Sequence, residues 1–333
     1  MGSKNNRIAW LDSSRGIAFI MVIYSHLEFH DVTLMKFFSP VFLTTFFFVS
    51  GYLFKSNTSF REILEQRTRT LFIPFLIYGT LLLLTRQLFS FREEVTPFKE
   101  SFISMICQFD KESRFIWFIP ALYVYSLLFY WINRFSLNNP KLLFILSSLL
   151  FSLNWFLCYL IEIPKLPYTL NTAGFGCAYM GLGKVYRHYE SFFNTYFKKK
   201  YIIYLASFYT VMTYYFPPIS FMGSKYMIDS LIITVIGLFI IVYFAKKDYI
   251  SNKLILFVGS NSLLYFCLHG KVYALLQGGV HIFVPSEFLH NYIFCYTISI
   301  LITLADVLVL ILPILLINHY AAFTIGKGYK LWK

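Results

Sequence analysis

Residues 12–26 read DSSRGIAFIMVIYSH. An aspartate and an arginine open the stretch, a serine and a histidine close it, and the middle is apolar. Ionisable groups in the hydrocarbon of a bilayer cost several kcal/mol each, so a membrane helix carries them only for a reason. What kind of helix this is decides the fold, because apolar stretches of similar length recur along the chain.

Hydrophobic residues make up 58% of the 333 and charged residues 14%, with a mean hydropathy of +0.62. Soluble domains carry about a quarter of their residues charged. A soluble protein of this composition would have no means of hiding its apolar surface. Apolar runs of about twenty residues match a hydrocarbon core about 30 Å thick, whereas a transmembrane barrel shows short alternating segments. The expected fold class is all-α, a polytopic transmembrane helical bundle.

About ten spans are expected, near 8–27, 37–54, 71–90, 115–133, 141–161, 168–187, 201–217, 227–245, 254–275 and 292–318. An even number puts both termini on one side. With the N-terminus inside, the inner loops and tails hold about 19 of the 29 Lys and Arg residues, so both ends are expected to be cytoplasmic. The net charge of +13 then faces anionic lipid, and no nucleic-acid partner is expected. The first segment has no small-residue cleavage site after it and is expected to stay as an anchor. No appended soluble domain is expected, and residues 1–333 are expected to form one integral-membrane domain. The connection at 91–114 contains FKESFISMICQF, which suits an interfacial helix. The five cysteines lack C-x-x-C spacing and read as packing residues.

Ionisable residues within or beside the expected spans are Asp12, Arg15, His26, Asp229, His269 and Asp306. Asp229 lies near a span end, where a solvated carboxylate is expected, and Asp306 reads as a packing polar group. Asp12, Arg15 and His26 share one helix. Arg15 and His26 are about three turns and ~16 Å apart, and only about 20° apart around the axis, so they face one groove. Asp12 precedes Arg15 at the i,i+3 spacing of an ion pair. Arginine's fixed donors suit phosphate, and imidazole titrates near neutrality, as a general base must. A phosphate anchor and a base set apart along a groove suit a long phosphorylated donor whose reactive end is remote from its phosphates. Acyl-coenzyme A has that shape. Two plainer readings stand beside it. Arg15 snorkels on Asp12 while His26 caps the outer helix end; or His26 and His30, at i,i+4 with Glu28 and Asp31 nearby, chelate zinc. Spacing fixes no third ligand, and no metal site is expected.

The motifs, taken in order, resemble a known family. RIAWLDSSRGIAFIMVIYSH (7–26) resembles the first helix of the acyltransferase 3 family of integral-membrane acyltransferases, where an arginine is followed after ten residues by a histidine; here these are Arg15 and His26. FFFVSGYLF (46–54) is similar to its second helix, with Ser50 and Gly51 in place, and RTRTLFIPF (67–75) to the basic start of its third, with Arg67 and Arg69. FIWFIPALY (115–123) looks like its Trp-Phe-x-Pro-x-Leu stretch at Trp117, and FVGSNSLLYFCLH (257–269) like its late Gly-x-x-Ser…His helix, with Ser262 and His269. The short form looks most like the fucose 4-O-acetylase-type branch.

The resemblance implies transfer of an acyl group, commonly acetyl, from cytoplasmic acyl-CoA to a carbohydrate hydroxyl. Typical acceptors are surface polysaccharides, their lipid-linked precursors or peptidoglycan, in a bacterial cytoplasmic membrane. Acetyl-CoA enters as a co-substrate, and no tightly bound cofactor is expected. The resemblance also implies essential roles for Arg15 and His26. His26 is then the expected general base, and Arg15, Arg67 and Arg69 hold the CoA phosphates. His269 and Ser262 are second-line acid/base candidates, and Asp12, Ser50 and Trp117 are further site-lining candidates. Gly51 and the Gly-rich stretch 174–183 are expected to let helices approach closely. Residues 134–250 match in hydropathy alone, so the acceptor is not carried over. The alternative function is a transporter or flippase of a glycan or lipid-linked sugar, which leaves its substrate chemically unchanged. The absence of a clear internal repeat weakens an inverted-repeat transporter. A membrane glycosyltransferase would need catalytic carboxylates in large outer loops, and these are short. Oligomeric state, and direct transfer against a covalent acyl-histidine, stay open.

Overall fold

A computed structural model describes residues 8–28, 32–89, 96–108, 116–196, 198–216, 219–220, 225–247, 249–285, 287–329 and 331. The chain forms α1 (Ala9–Ser25), α2 (Val32–Phe38), α3 (Phe42–Tyr52), α4 (Phe60–Arg67), α5 (Ile73–Phe89), α6 (Phe98–Cys107), α7 (Phe118–Phe135) and α8 (Pro140–Tyr159). It continues with α9 (Ala173–His188), α10 (Glu190–Tyr196), α11 (Lys199–Tyr215), α12 (Met227–Lys246), α13 (Lys253–Ser260), α14 (Ser262–Phe283), α15 (Tyr292–Val309) and α16 (Ile311–Tyr320). No β-strand occurs among the described residues.

Five helices are long and apolar enough to cross a bilayer: Thr33–Tyr52, Phe60–Leu88, Pro140–Tyr159, Met227–Lys246 and Tyr292–Tyr320. The bent pair α13–α14 makes a sixth if counted as one span. The other expected spans coincide with α1, α7, α9 and α11, of 17, 18, 16 and 17 residues. A bilayer core asks for about 20 residues, so length and hydropathy do not assign these four as spans. The expected interfacial helix in 91–114 is represented by α6.

Local signals set the helix starts. Ser59 and Glu62 form a reciprocal capping box at α4. Asn139 accepts from the amides of Lys141 and Leu142 just before Pro140, which opens α8. Two long helices depart from the simple expectation. A π-helical turn, Thr68–Phe72, joins α4 to α5 within one continuous helix. At Asn261 the expected span 254–275 instead bends by 95°. The Asn261 side-chain amide donates to the Phe257 carbonyl at 2.8 Å, and its Oδ1 accepts from Asn318 Nδ2 at 2.8 Å. A side chain that takes over a helical carbonyl and is braced from another helix is a defined cause of such a break.

Two helix crossings are backbone against backbone. Where α1 meets α13, a Cβ added to Gly259 would lie 1.7 Å from the Asp12 carbonyl oxygen, and one on Gly16 would lie 2.2 Å from that of Ile255. Where α3 meets α9, a Cβ on Gly51 would lie 1.8 Å from the Met180 carbonyl oxygen, and one on Gly183 1.9 Å from that of Phe48. Small residues at these points remove the side-chain layer that normally keeps helices apart. Lys246 closes the bundle at one end: its ammonium lies 5.0 Å from the Trp10 ring and 4.9 Å from the Tyr186 ring and pairs with Glu190.

Gly259→Val drives a side chain into the α1 backbone, and overpacking of this kind costs at least about 1–3 kcal/mol. The detergent-solubilised variant should unfold at a clearly lower Tm than the wild type. Gly278→Ala, at a position with nothing within 4 Å of the added carbon, should leave Tm unchanged or slightly raised; equal losses for both would refute the role of the crossing.

Candidate active site

The α1–α13 crossing places Arg15 beside the start of α14. A cavity of about 400 Å³ opens there, walled by α1, α3, α4, the π-helical turn, α7 and the first turns of α14. Four of the residues singled out in the sequence line it: Arg15, Ser50, Arg67 and Ser262. Lys55 joins them, so the lining carries three cations and, among the described residues, no carboxylate. Asp12 holds Arg15 from outside the cavity, with Oδ1 3.2 Å from Nη1. Arg15 and Arg67 lie within electrostatic reach of each other. Ser262 is the first residue of a 22-residue helix, whose N-terminal amides and dipole favour an anion. The lining therefore matches phosphate chemistry.

Arg69 lies apart from Arg67. Two residues beyond Arg67 on a helix is about 200° of rotation, and Arg69 lies on the other side. It donates to the carbonyl of Tyr329, while the Arg69 carbonyl abuts Gly326. Arg69 thus fastens the C-terminal segment and does not line the cavity. Trp117 also stays outside the lining; it is half-buried with its ring edge-on to Phe118 at 5.9 Å.

His26 and His269 meet elsewhere. His26 ends α1 and is exposed; His269 is buried on α14. Their ring centroids are 5.3 Å apart, nearly perpendicular. Nδ1 of His26 lies 2.7 Å from the Val22 carbonyl oxygen, and Nδ1 of His269 lies 2.9 Å from that of Tyr265. A carbonyl only accepts, so in the neutral form of each ring Nδ1 carries the proton and Nε2 the lone pair. Tyr273 packs against both, with ring distances of 5.8 and 6.0 Å. Glu28, at the same end, bonds His281 at 3.0 Å. His30 and Asp31, on which the zinc reading depends, lie outside the described residues.

Helix order separates the two centres. Along α14, Ser262 borders the cavity, Phe266 follows one turn later, and His269 comes a further turn on. Phe266 lines the cavity and stacks on Phe118 at 4.8 Å, with Phe46 at 5.1 Å and Phe19 at 4.7 Å. Its ring is 6.4 Å from that of His269. One aromatic layer divides the cationic cavity from the histidine pair.

Asp306 is fully buried on α15, and neither carboxyl oxygen finds a hydrogen-bond partner among the described residues. It lies within electrostatic reach of Tyr265 and Tyr273. Asp229, half-buried, opens α12.

Sequence reasoning missed Lys55, Phe266 and Tyr273. Tyr273 stands four residues after His269, on the same helix face, and that spacing was the available signal. Lys55 follows the second apolar stretch directly and looks like any loop cation. Phe266 is one of 39 phenylalanines, and nothing local distinguishes it.

A family model described as an acyltransferase domain matches residues 8–316, nearly the whole chain. No curated protein and no solved structure shows significant similarity to it. With a match running from the residue before α1 into α16, over an all-helical chain with several membrane-crossing helices, the chain belongs to the acyltransferase 3 family of membrane acyltransferases.

Proposed function

We propose that the protein transfers an acyl group, acetyl by preference, from acyl-CoA to a hydroxyl of a cell-surface carbohydrate or its lipid-linked precursor. The observation that carries this is the pairing of a cationic cavity at Arg15 with a histidine pair about three turns along the same helix. The CoA phosphates bind Arg15, Arg67 and Lys55 at the start of α14, and the thioester arm extends past Phe266 to His26. The positive-inside bias puts the Arg15 end at the cytoplasm, where acyl-CoA is made. The setting is a bacterial cytoplasmic membrane.

In the reaction, Nε2 of His26 takes the proton of the acceptor hydroxyl as its oxygen attacks the thioester carbonyl. The C–O bond forms, the C–S bond breaks, and the leaving thiolate takes the proton from the imidazolium to give CoA and the ester. His269 presents a second lone pair beside His26 and serves as its acid/base partner. Asp12 orients Arg15.

The route requires Phe266 to move. Its three ring contacts with Phe19, Phe46 and Phe118, at about 0.5–1.5 kcal/mol each, make that cost roughly 2–4 kcal/mol. Such a rearrangement fits within a catalytic cycle.

The test is acyl transfer from labelled acetyl-CoA to host glycans in purified membranes. His26→Ala should lose about 10²–10⁴-fold in rate; near-normal transfer by this variant would remove His26 from its role. A flippase would leave acetyl-CoA unconsumed. Arg15→Ala and Arg67→Ala should weaken acetyl-CoA binding at least tenfold, measured by calorimetry, while Arg69→Ala should bind as the wild type does. Phe266→Trp should keep donor affinity within twofold and lose most transfer; unimpaired transfer would show that the arm takes another path.

A further inference from the structure

The end of α3 borders the cavity at Arg15, and α9 holds that end by its carbonyl groups. Lys184 donates from Nζ to the Phe54 carbonyl at 2.7 Å, and Arg187 donates from Nη1 to the Tyr52 carbonyl at 3.1 Å. Each of these carbonyls belongs to the peptide bond that leads into a lining residue of the cavity, Tyr52 into Leu53 and Phe54 into Lys55. A peptide group is planar, so a bond that fixes its oxygen also fixes the orientation of the next Cα. This matters most for Lys55, which lies in the irregular link between α3 and α4, beyond the last helical turn.

The α3–α9 glycine crossing makes this reach possible. Gly183, the residue before Lys184, lies against the Phe48 carbonyl, so α9 runs close enough to α3 for a lysine to extend past its end. A cation placed by the positive-inside bias alone stays in water or among headgroups. Lys184 is instead half-buried, with its ammonium on a carbonyl. The C-terminus of a helix carries partial negative charge, and an anion bound in the cavity would face that end of α3. Lys184 and Arg187 offset it. Arg187 also lies 5.6 Å from the Tyr52 ring, and the Tyr52 hydroxyl donates to Glu190 at 2.6 Å, so α9 and α10 hold this last turn together.

On the reading that this cavity holds the acyl-CoA phosphates, we propose that Lys184 is a positioning residue for the donor. It fixes the Phe54–Lys55 peptide so that the Lys55 ammonium joins Arg15 and Arg67 around the phosphates. Lys184 and Arg187 do not themselves line the cavity. Arg187 acts on Leu53 in the same way, more weakly, because it is exposed and its bond competes with water.

The test is anion affinity of the full chain in detergent, by calorimetry, with inorganic pyrophosphate as the probe and acetyl-CoA beside it. Lys184→Met should weaken both about tenfold, the scale of one hydrogen bond from a charged donor. Lys184→Arg restores a cationic donor and should stay within about twofold of the wild type. In a Lys55→Met background, itself weaker, Lys184→Met should have no further effect, because residues that act as a unit are not additive. In the transfer assay Lys184→Met should raise KM for acetyl-CoA about tenfold and hold kcat within about twofold; a general loss of structure would lower kcat as well. Unchanged probe affinity in Lys184→Met overturns the proposal. So does an equal loss in the Lys55→Met background, which would make Lys184 a distant charge. Failure of the wild type to bind pyrophosphate removes the anion cavity and this role with it. Coupled loss of pyrophosphate binding, with no acetyl-CoA consumed by the wild type, supports the positioning role and counts instead against the transferase reading.

Discussion

The contact on which the rest depends is the crossing of α1 and α13 at Gly16 and Gly259. Backbone lies on backbone there, so the two helices have no freedom to slide by a residue without a clash. Arg15 is adjacent to one glycine and Ser262 follows the other by three residues, which is why both line the same cavity. His26 and His269 stand ten residues beyond Gly16 and Gly259, and they form the histidine pair. One glycine contact thus sets the register of both centres.

The bend at Asn261 adds a second requirement. A straight helix through 254–275 would have no N-terminus in its middle. By breaking at Asn261, the chain places the positive end of α14 at the wall of a cavity already lined by Arg15, Lys55 and Arg67. The same bend aims α14 along the path from that cavity to the histidines, with Phe266 between them. An aromatic layer there stands between the cationic cavity and the histidine pair.

The sequence exposed the fold class and much of the first helix. Low charge, high hydropathy and twenty-residue apolar runs left a helical membrane bundle as the physical option, and the i,i+3 spacing announced the Asp12–Arg15 ion pair. Arg15 and His26 were placed on one face by helical period alone. That face does not give one open groove, because the groove is interrupted by rings donated from α3, α7 and α14. Arg67 and Arg69 were indistinguishable as neighbouring loop cations, and only the rotation of their helix sends one to the cavity and the other to the C-terminal segment.

By itself, then, the sequence determined what is local or periodic: the apolar composition, the costly charges and their turn-by-turn spacing. Tertiary structure decided which of those charges meet. Residues hundreds of positions apart, such as His26 and His269, come together only through packing, and packing here is set by glycines whose role is the absence of a side chain. Hydropathy is blind to that absence, because a glycine at a crossing and a glycine facing open space have the same sequence signature. What distinguishes Gly259 from Gly278 is a carbonyl oxygen 1.7 Å from a carbon that is not there.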